Sequence, residues 1–241
     1  MSLDVEPVSH DYDQIWRDVY GGMQDHGPVH KHLTRLVRKE LARIDYSTVY
    51  EVGCGAGHNF DLLTERRSVS SLGGMDISEV ALERARRRTR GDFSIGDIQG
   101  DPIVGQWDLV FCSLVLEHLE RDEDALRNMA AAVGKYLIVT TVGGDYERYR
   151  AFDERVGHVR NYAPGELEAK LERTGFRVLR SVAWGWPLYS PITRILQRRT
   201  NAGIGTYGLA ERVAAKAFYA AYFLNSRRRG DILLAVAEPA R

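Results

Sequence analysis

Cysteine is scarce: only Cys54 and Cys112 occur in 241 residues. One pair cannot build the disulfide framework of a small secreted domain or a four-cysteine zinc site, so the chain suits a reducing, cytoplasmic setting. Long apolar runs are missing too. No stretch approaches the roughly 18 apolar residues that a membrane span requires, and the start, Met1-Ser2-Leu3-Asp4-Val5-Glu6-Pro7, is polar and acidic rather than signal-like, so stable membrane insertion is not expected. An excess of either charge is also lacking. Thirty-three basic residues balance thirty-three acidic ones, which removes the general electrostatic reason to expect a nucleic-acid partner. No Gly-Lys-Ser/Thr sequence completes a Walker phosphate loop. The length fits one domain, 1–241, with one main core.

What the chain does contain is a short apolar run that ends in an acid and three alternating glycines. Residues 48–59 read Thr-Val-Tyr-Glu-Val-Gly-Cys-Gly-Ala-Gly-His-Asn. Residues 49–52 have the length and residue types of a buried strand, and a helical stretch over 58–65 follows the glycines. Gly53, Gly55 and Gly57 can adopt the positive φ of a sharp strand-to-helix turn and let a small ligand approach bare backbone. A dinucleotide fingerprint would need glycine at the sixth position from Gly53, which is His58. That gap counts against a nicotinamide oxidoreductase.

Three further stretches keep the same order. Residues 71–78, Ser-Leu-Gly-Gly-Met-Asp-Ile-Ser, read as a second strand ending in Asp76, about 20 residues past the glycines, where a carboxylate can accept from ribose hydroxyls. Ser78 is the expected N-cap of a helix over 79–90. Residues 93–98, Phe-Ser-Ile-Gly-Asp-Ile, form a third strand closed by Gly-Asp-Ile, and residues 107–119, Trp-Asp-Leu-Val-Phe-Cys-Ser-Leu-Val-Leu-Glu-His-Leu, form a fourth strand running into the next helix.

Glu-x-Gly-x-Gly-x-Gly, followed by these stretches, resembles motif I and its successors in the class I S-adenosylmethionine-dependent methyltransferases, in their small-molecule branch. The resemblance covers about 45–180 closely. It implies that the glycine loop lies under the methionine part of S-adenosyl-L-methionine, with Glu51 helping to bind that end. It further implies that Asp97 accepts from the adenine amino group while Ile98 packs on the ring. The implied cofactor site comprises Tyr20, Glu51, Gly53, Cys54, Gly55, Gly57, Asp76, Ile77, Asp97, Ile98, Ser113 and Leu114. No metal site is expected, because a catechol-type metal enzyme would need several acids around strands 4 and 5 and Asp145 alone is poor support.

Around this core, residues 8–30, with Tyr12, Trp16, Tyr20 and three histidines, read as an N-terminal lid or a loosely packed arm. Apolar residues Leu33, Leu36, Val37, Leu41 and Ile44 recur at helical spacing, predicting an amphipathic helix over 32–44. A helix from near Asp122 carries Leu126, Met129, Ala130 and Val133 on one face and ends at Gly134, before a fifth strand over 135–142. Residues 143–163 form a long polar and aromatic substrate loop. Pro164 in a first turn and Gly175 bracket a helix, and 176–184 is the sixth strand. Residues 185–230 are a helical insertion where a tight hairpin would be usual, with a helix over 208–224 too rich in aromatics for one stripe. It reads as a pocket roof, a homodimer contact or a membrane-surface element, in that order of preference, and the core helix with solvated arginine ends stays open. Residues 231–237 supply the last strand. Alternating strands and helices through 142 imply an α/β, Rossmann-like, seven-stranded, mostly parallel sheet with an antiparallel last strand and helices on both faces.

A sulfonium methyl is already activated, so the protein has mainly to place a nucleophile in line and exclude water. If the acceptor is a hydroxyl, a histidine base is the natural aid. His118, after the strand-4 end, and His158, in the long loop, are the two candidates; each could instead be a structural cap. Asp/Asn-Pro-Pro-Tyr, used by amino-methylases, is replaced by Cys112-Ser113-Leu114-Val115. The expectation is therefore metal-independent O-methylation of a small organic acceptor such as a natural product, a saccharide or a quinone-like precursor. N- or C-methylation and a non-catalytic methyltransferase-like binding partner are the alternatives.

Overall fold

The computed structural model describes residues 27–65, 68–197 and 209–240. Tyr12, Trp16 and Tyr20, and with them residues 8–26 of the expected lid, lie outside the described residues, while residues 28–30 belong to the first helix.

A parallel sheet can form only if each strand is separated from the next by a crossover, and the chain supplies those crossovers from the start. Helix α1 (Pro28–Leu41) begins four residues before the predicted 32–44 because Pro28 is favourable in the first turn. It is followed by β1 (Thr48–Val52), the four-residue α2 (Phe60–Leu63), β2 (Ser71–Asp76), α3 (Glu79–Arg88), β3 (Asp92–Ile95) and β4 (Trp107–Ser113). A 3₁₀ turn (Leu116–His118) leads to α4 (Asp122–Ala132) and β5 (Val133–Val142). Next come α5 (Tyr146–Asp153), α6 (Glu166–Arg173), β6 (Phe176–Trp184), a π turn (Tyr189–Thr193), α7 (Arg194–Gln197), α8 (Leu209–Ala221) and β7 (Ile232–Pro239).

The strands order as β3-β2-β1-β4-β5-β7-β6. Antiparallel pairing of β7 with both β5 and β6 makes it the one reversed strand. From β1 the chain steps outward to β2 and β3, and from β4 it steps the other way. The crevice outside the carboxyl ends of β1 and β4 is thus the switch point at which open α/β sheets bind ligands.

Period-two alternation feeds two apolar layers. Val49, Leu109, Phe111 and Ile138 face the layer that holds Leu33, Leu36 and Val37 of α1, Phe60, Leu82 and Trp184. Tyr50, Val52, Val110, Cys112, Leu137 and Val139 face the other, which holds Leu126 and Met129 of α4 and Leu167 and Leu171 of α6. Among the described residues no helix is long and apolar enough to cross a membrane.

Several boundaries differ from the sequence reading. The glycine loop is followed by one helical turn rather than a helix over 58–65, because Gly57 still has positive φ. Gly134 is not a helix cap: Val133 already pairs with Trp107, so the strand takes over directly from α4. Residues 143–163 are not a plain loop, since Asp145 caps α5 by accepting from the Arg148 amide. Pro164 stands outside α6, whose N-cap is Gly165. Within the insertion, α8 packs along α1, where His32 Nε2 meets the Tyr219 carbonyl oxygen at 2.8 Å and the His32 ring stacks on Trp184. The described helix of the insertion therefore extends the cover over one sheet face.

The return from the insertion into β7 is sterically narrow. Gly230 has φ +150° and a Cβ there would overlap the Trp184 carbonyl group, which is backbone and cannot swing aside. Gly165 also has positive φ, yet nothing lies within 4 Å of its would-be Cβ. Gly230→Ala is expected to destabilise the fold by about 2–4 kcal/mol and Gly165→Ala by only about 1–2 kcal/mol. Denaturant unfolding of the two variants side by side measures the difference; equal losses would mean that the turn relaxes.

Candidate active site

The chain leaves β1 at Val52 and must turn back toward α2 within a few residues, which only positive φ achieves here: +65° at Gly53, +51° at Gly55 and +77° at Gly57. Two of these glycines are also hemmed in. A Cβ on Gly53 would overlap Val115, and one on Gly57 would overlap the Phe60 ring. Asp76, at the end of β2, pins the turn: Oδ2 accepts from the Gly55 amide at 2.7 Å and Oδ1 from the Ser78 amide at 2.9 Å. Ser78 caps α3 as expected, its Oγ accepting from the Ala81 amide. Asp76 is 8% exposed, and a carboxylate has acceptor capacity beyond two amides.

Glu51, 1% exposed, is the unusual group of this half. Its Oε1 accepts from Asn59 Nδ2 at 2.7 Å, while Oε2 is buried without a hydrogen-bond partner among the described residues. Burial raises its pKa to about 8, against the Asn59 hydrogen bond and with help from the nearby Asp76 charge. A buried carboxylate with an open oxygen is costly unless something cationic or hydrogen-donating completes it.

Other expected cofactor residues are placed differently. The Cys54 side chain is buried in the core against Gly74, so only its backbone faces the turn. Ile98 is 4% exposed and packed in the second apolar layer, leaving little surface for a ring, whereas Ile77 on the same edge is 50% exposed. Asp97 is half-buried and closes a local turn, accepting from the Gln99 amide at 3.0 Å and from Gln99 Nε2. Ser113 Oγ shares a hydrogen bond with Thr140 Oγ1 at 2.8 Å. Leu114 follows with φ +56°, among the described residues the one non-glycine in the left-handed region, held by its amide donating to Thr140 O. Backbone strain of this kind is retained where surrounding structure enforces it, typically at functional sites.

A second cluster of polar side chains forms past the ends of β4 and β5. His118 and His158, 40 positions apart in sequence, meet edge to face with ring centroids 4.8 Å apart. Hydrogen bonds orient both rings: His118 Nδ1 lies 2.9 Å from Gly157 O and His158 Nδ1 lies 3.2 Å from Asp153 Oδ1. Asp153 is itself held by Arg194 Nη2, 3.1 Å from each carboxylate oxygen, and by Asn161 Nδ2 at 2.7 Å. Burial would raise the Asp153 pKa, but the His158 hydrogen bond and the Arg194 charge outweigh it and hold the carboxyl below its ordinary value. Arg194 Nη1 also donates to Gly143 O at 2.7 Å and to Asp231 at 3.1 Å, and its guanidinium stacks over Tyr149 at 3.9 Å. Glu117, next to His118, is 0% exposed; Thr141 Oγ1 donates to its Oε2 at 2.8 Å and its Oε1 has no partner among the described residues.

Sequence reasoning missed Glu117, Asn59, Asp153 and Arg194. Glu117 had a signal, an acid directly before a candidate histidine at a strand end. Asp153 and Arg194 had none, since only folding joins α5 to the insertion.

A family model described as a methyltransferase domain matches residues 50–135, the stretch that carries the glycine turn, Asp76 and the β4 end. Residues 50–135 are a methyltransferase domain. Similarity extends beyond it at lower identity. A trans-aconitate 2-methyltransferase of Azoarcus sp. (strain BH72) is 28% identical over 68% of this chain and 65% of that protein. A mitochondrial ubiquinone biosynthesis O-methyltransferase of Candida albicans is 26% identical over 45% of this chain and 36% of that protein. The chain thus spans less than two thirds of the length of these relatives. Among solved structures, magnesium protoporphyrin IX methyltransferase from Synechocystis PCC 6803, with bound S-adenosylmethionine, superposes with TM-score 0.56 at 15% identity, covering 88% of this chain and 80% of that one. That likeness places the methyltransferase domain in the Rossmann-like methyltransferase fold.

The state of Glu51 gives a pH test of the methyltransferase domain. Because its folded pKa of about 8 exceeds the ordinary 4.5, the folded state holds a proton that the unfolded state has lost, and this contribution to stability declines as pH rises toward 8. Glu51→Gln is expected to flatten the decline in chemical denaturation between pH 5 and pH 9. A variant curve parallel to the parent's would show that another group is responsible.

Proposed function

We propose that the protein transfers a methyl group from S-adenosyl-L-methionine to an oxygen of a small organic acceptor. The observation that carries the cofactor half is the unpartnered Glu51 Oε2 beside the positive-φ turn. An α-ammonium group is the kind of donor that this oxygen lacks, and the turn offers bare backbone beside it. Asp76 has acceptor capacity for ribose hydroxyls while it pins Gly55, and exposed Ile77 offers an apolar surface for the adenine on the same edge. When bound, the cofactor supplies a sulfonium-activated methyl group.

The protein's own part is then placement. Ser113 and Leu114 end β4 at the switch-point crevice, and the His118 and His158 pair stands past that end, where an acceptor oxygen can be oriented and its proton removed. Oxygen is favoured as the acceptor atom because the similar Candida albicans protein is named an O-methyltransferase. No Asp/Asn-Pro-Pro-Tyr segment replaces Cys112-Ser113-Leu114-Val115 to bind an exocyclic amine. A natural product, a saccharide or a quinone-like precursor fits this chemistry.

Calorimetric titration with S-adenosylhomocysteine tests the reading. The parent protein should bind it, and Asp76→Ala should weaken binding by about 2–4 kcal/mol, the worth of one or two charge-assisted hydrogen bonds. A ligand analogue without the ribose hydroxyls separates direct contact from loop pinning: it should bind the parent more weakly yet show little further loss in the variant. Glu51→Gln should cost about 1.5–3 kcal/mol of the same affinity. Absence of adenosyl-ligand binding would overturn the reading, and binding without methyl transfer to any oxygen acceptor in a broad screen would favour a non-catalytic partner.

A further inference from the structure

Glu117, His118 and His158 each offer one potential ligand atom, and the three atoms lie within 4.8 Å of one another. We propose that these three residues bind a divalent first-row transition cation at the acceptor end of the site. Among the described residues it is the one such group.

The donor set decides the ion class. Two imidazoles and one carboxylate suit zinc, iron, cobalt or manganese, whereas magnesium and calcium prefer oxygen alone. Each donor also has the supporting partner that metal ligands characteristically have. In such sites one histidine nitrogen is fixed by a carbonyl or carboxylate so that the other can ligate, and a ligating carboxylate is itself hydrogen-bonded. Here Gly157 O holds His118, Asp153 holds His158 and Thr141 holds Glu117.

An independent observation points to a missing group. Glu117 Oε1 is fully buried with no hydrogen-bond partner among the described residues. A carboxylate in that position is short of positive charge, which a dication would supply. The surroundings favour a built site over a chance cluster. Arg194, from the insertion, donates to both Asp153 oxygens, so Asp153 can hold the imidazole without adding an uncompensated charge. Three protein donors leave coordination positions open, and the site lies past the β4 end, where an acceptor oxygen could complete the sphere.

What the ion would do, holding the acceptor oxygen and easing loss of its proton in place of a histidine base, rests on the methyltransferase reading, but its binding does not, so the two fail separately. The test uses tag-free full-length protein stripped with a chelator and titrated with Co²⁺, read by visible absorption, with Zn²⁺ calorimetry beside it. The expected result is one ion per chain and a cobalt spectrum of low coordination number. His118→Ala, His158→Ala and Glu117→Gln should each abolish the spectrum while retaining S-adenosylhomocysteine binding. Asp153→Asn, which keeps the proposed ligands and removes the charge that supports His158, should weaken cobalt binding by about 10–100-fold.

Lack of stoichiometric cobalt binding to the parent would overturn the proposal, as would cobalt binding that survives the three ligand variants. Should one ligand variant also lose S-adenosylhomocysteine binding, the other two and Asp153→Asn decide the matter.

Discussion

The site depends on one short constraint, the grip of the Asp76 carboxylate on the amides of Gly55 and Ser78. Three glycines of the turn after β1 lie in a backbone region that most side chains avoid, and such a turn is held in shape by acceptors supplied from outside it. Asp76 comes from the neighbouring strand, so the pairing of β1 with β2 sets the geometry of the loop. Val115 and Phe60 close the other sides, which is why Gly53 and Gly57 serve packing as much as ligand approach. A glycine count alone does not separate those duties.

Three buried carboxylates then divide by how completely they are satisfied. Asp153 is enclosed by Arg194, Asn161 and His158, so its charge is compensated and its pKa stays low. Glu51 and Glu117 each have one oxygen bound to a neutral donor and one with no partner among the described residues, and burial raises the pKa of both. A buried ion pair contributes little net stability, yet removing one partner is strongly destabilising. The Arg194 and Asp153 pair is therefore best understood as positional: it joins the insertion, α5, the Gly143 turn and Asp231 into one support behind His158. Glu51 lies in β1, just before the glycine turn, and Glu117 in the 3₁₀ turn after β4, so each incomplete carboxylate sits beside a strand end.

Most of the fold could be read directly from the chain because its signals are local. Apolar runs of strand length, the Ser78 cap and the glycine turn depend on neighbours a few residues away, and β1, β2, β4 and β6 fall close to where those patterns put them. Boundaries failed where two local signals competed. Gly134 has the character of a helix stop, but pairing of Val133 with Trp107 draws it into β5. The stretch 143–163 looked irregular because the buried face of α5 is narrow, Tyr149 and Asp153, and both of those residues are completed by the insertion rather than by the sheet. The glycine-turn half of the candidate site was accessible for the same local reason. The cluster past β4 was only half accessible: His118 and His158 could be named, but the support behind them draws on Arg194 from a distant segment.

This difference explains the lengthened connection between β6 and β7. A tight hairpin would bring β7 back without crossing the strand ends and would leave Asp153 buried without a cation. The insertion instead delivers Arg194 to Asp153, Gly143 and Asp231 before α8 returns along α1 to seat Tyr222 against Trp184. One segment therefore completes the charge behind His158 and covers the apolar face beside α1.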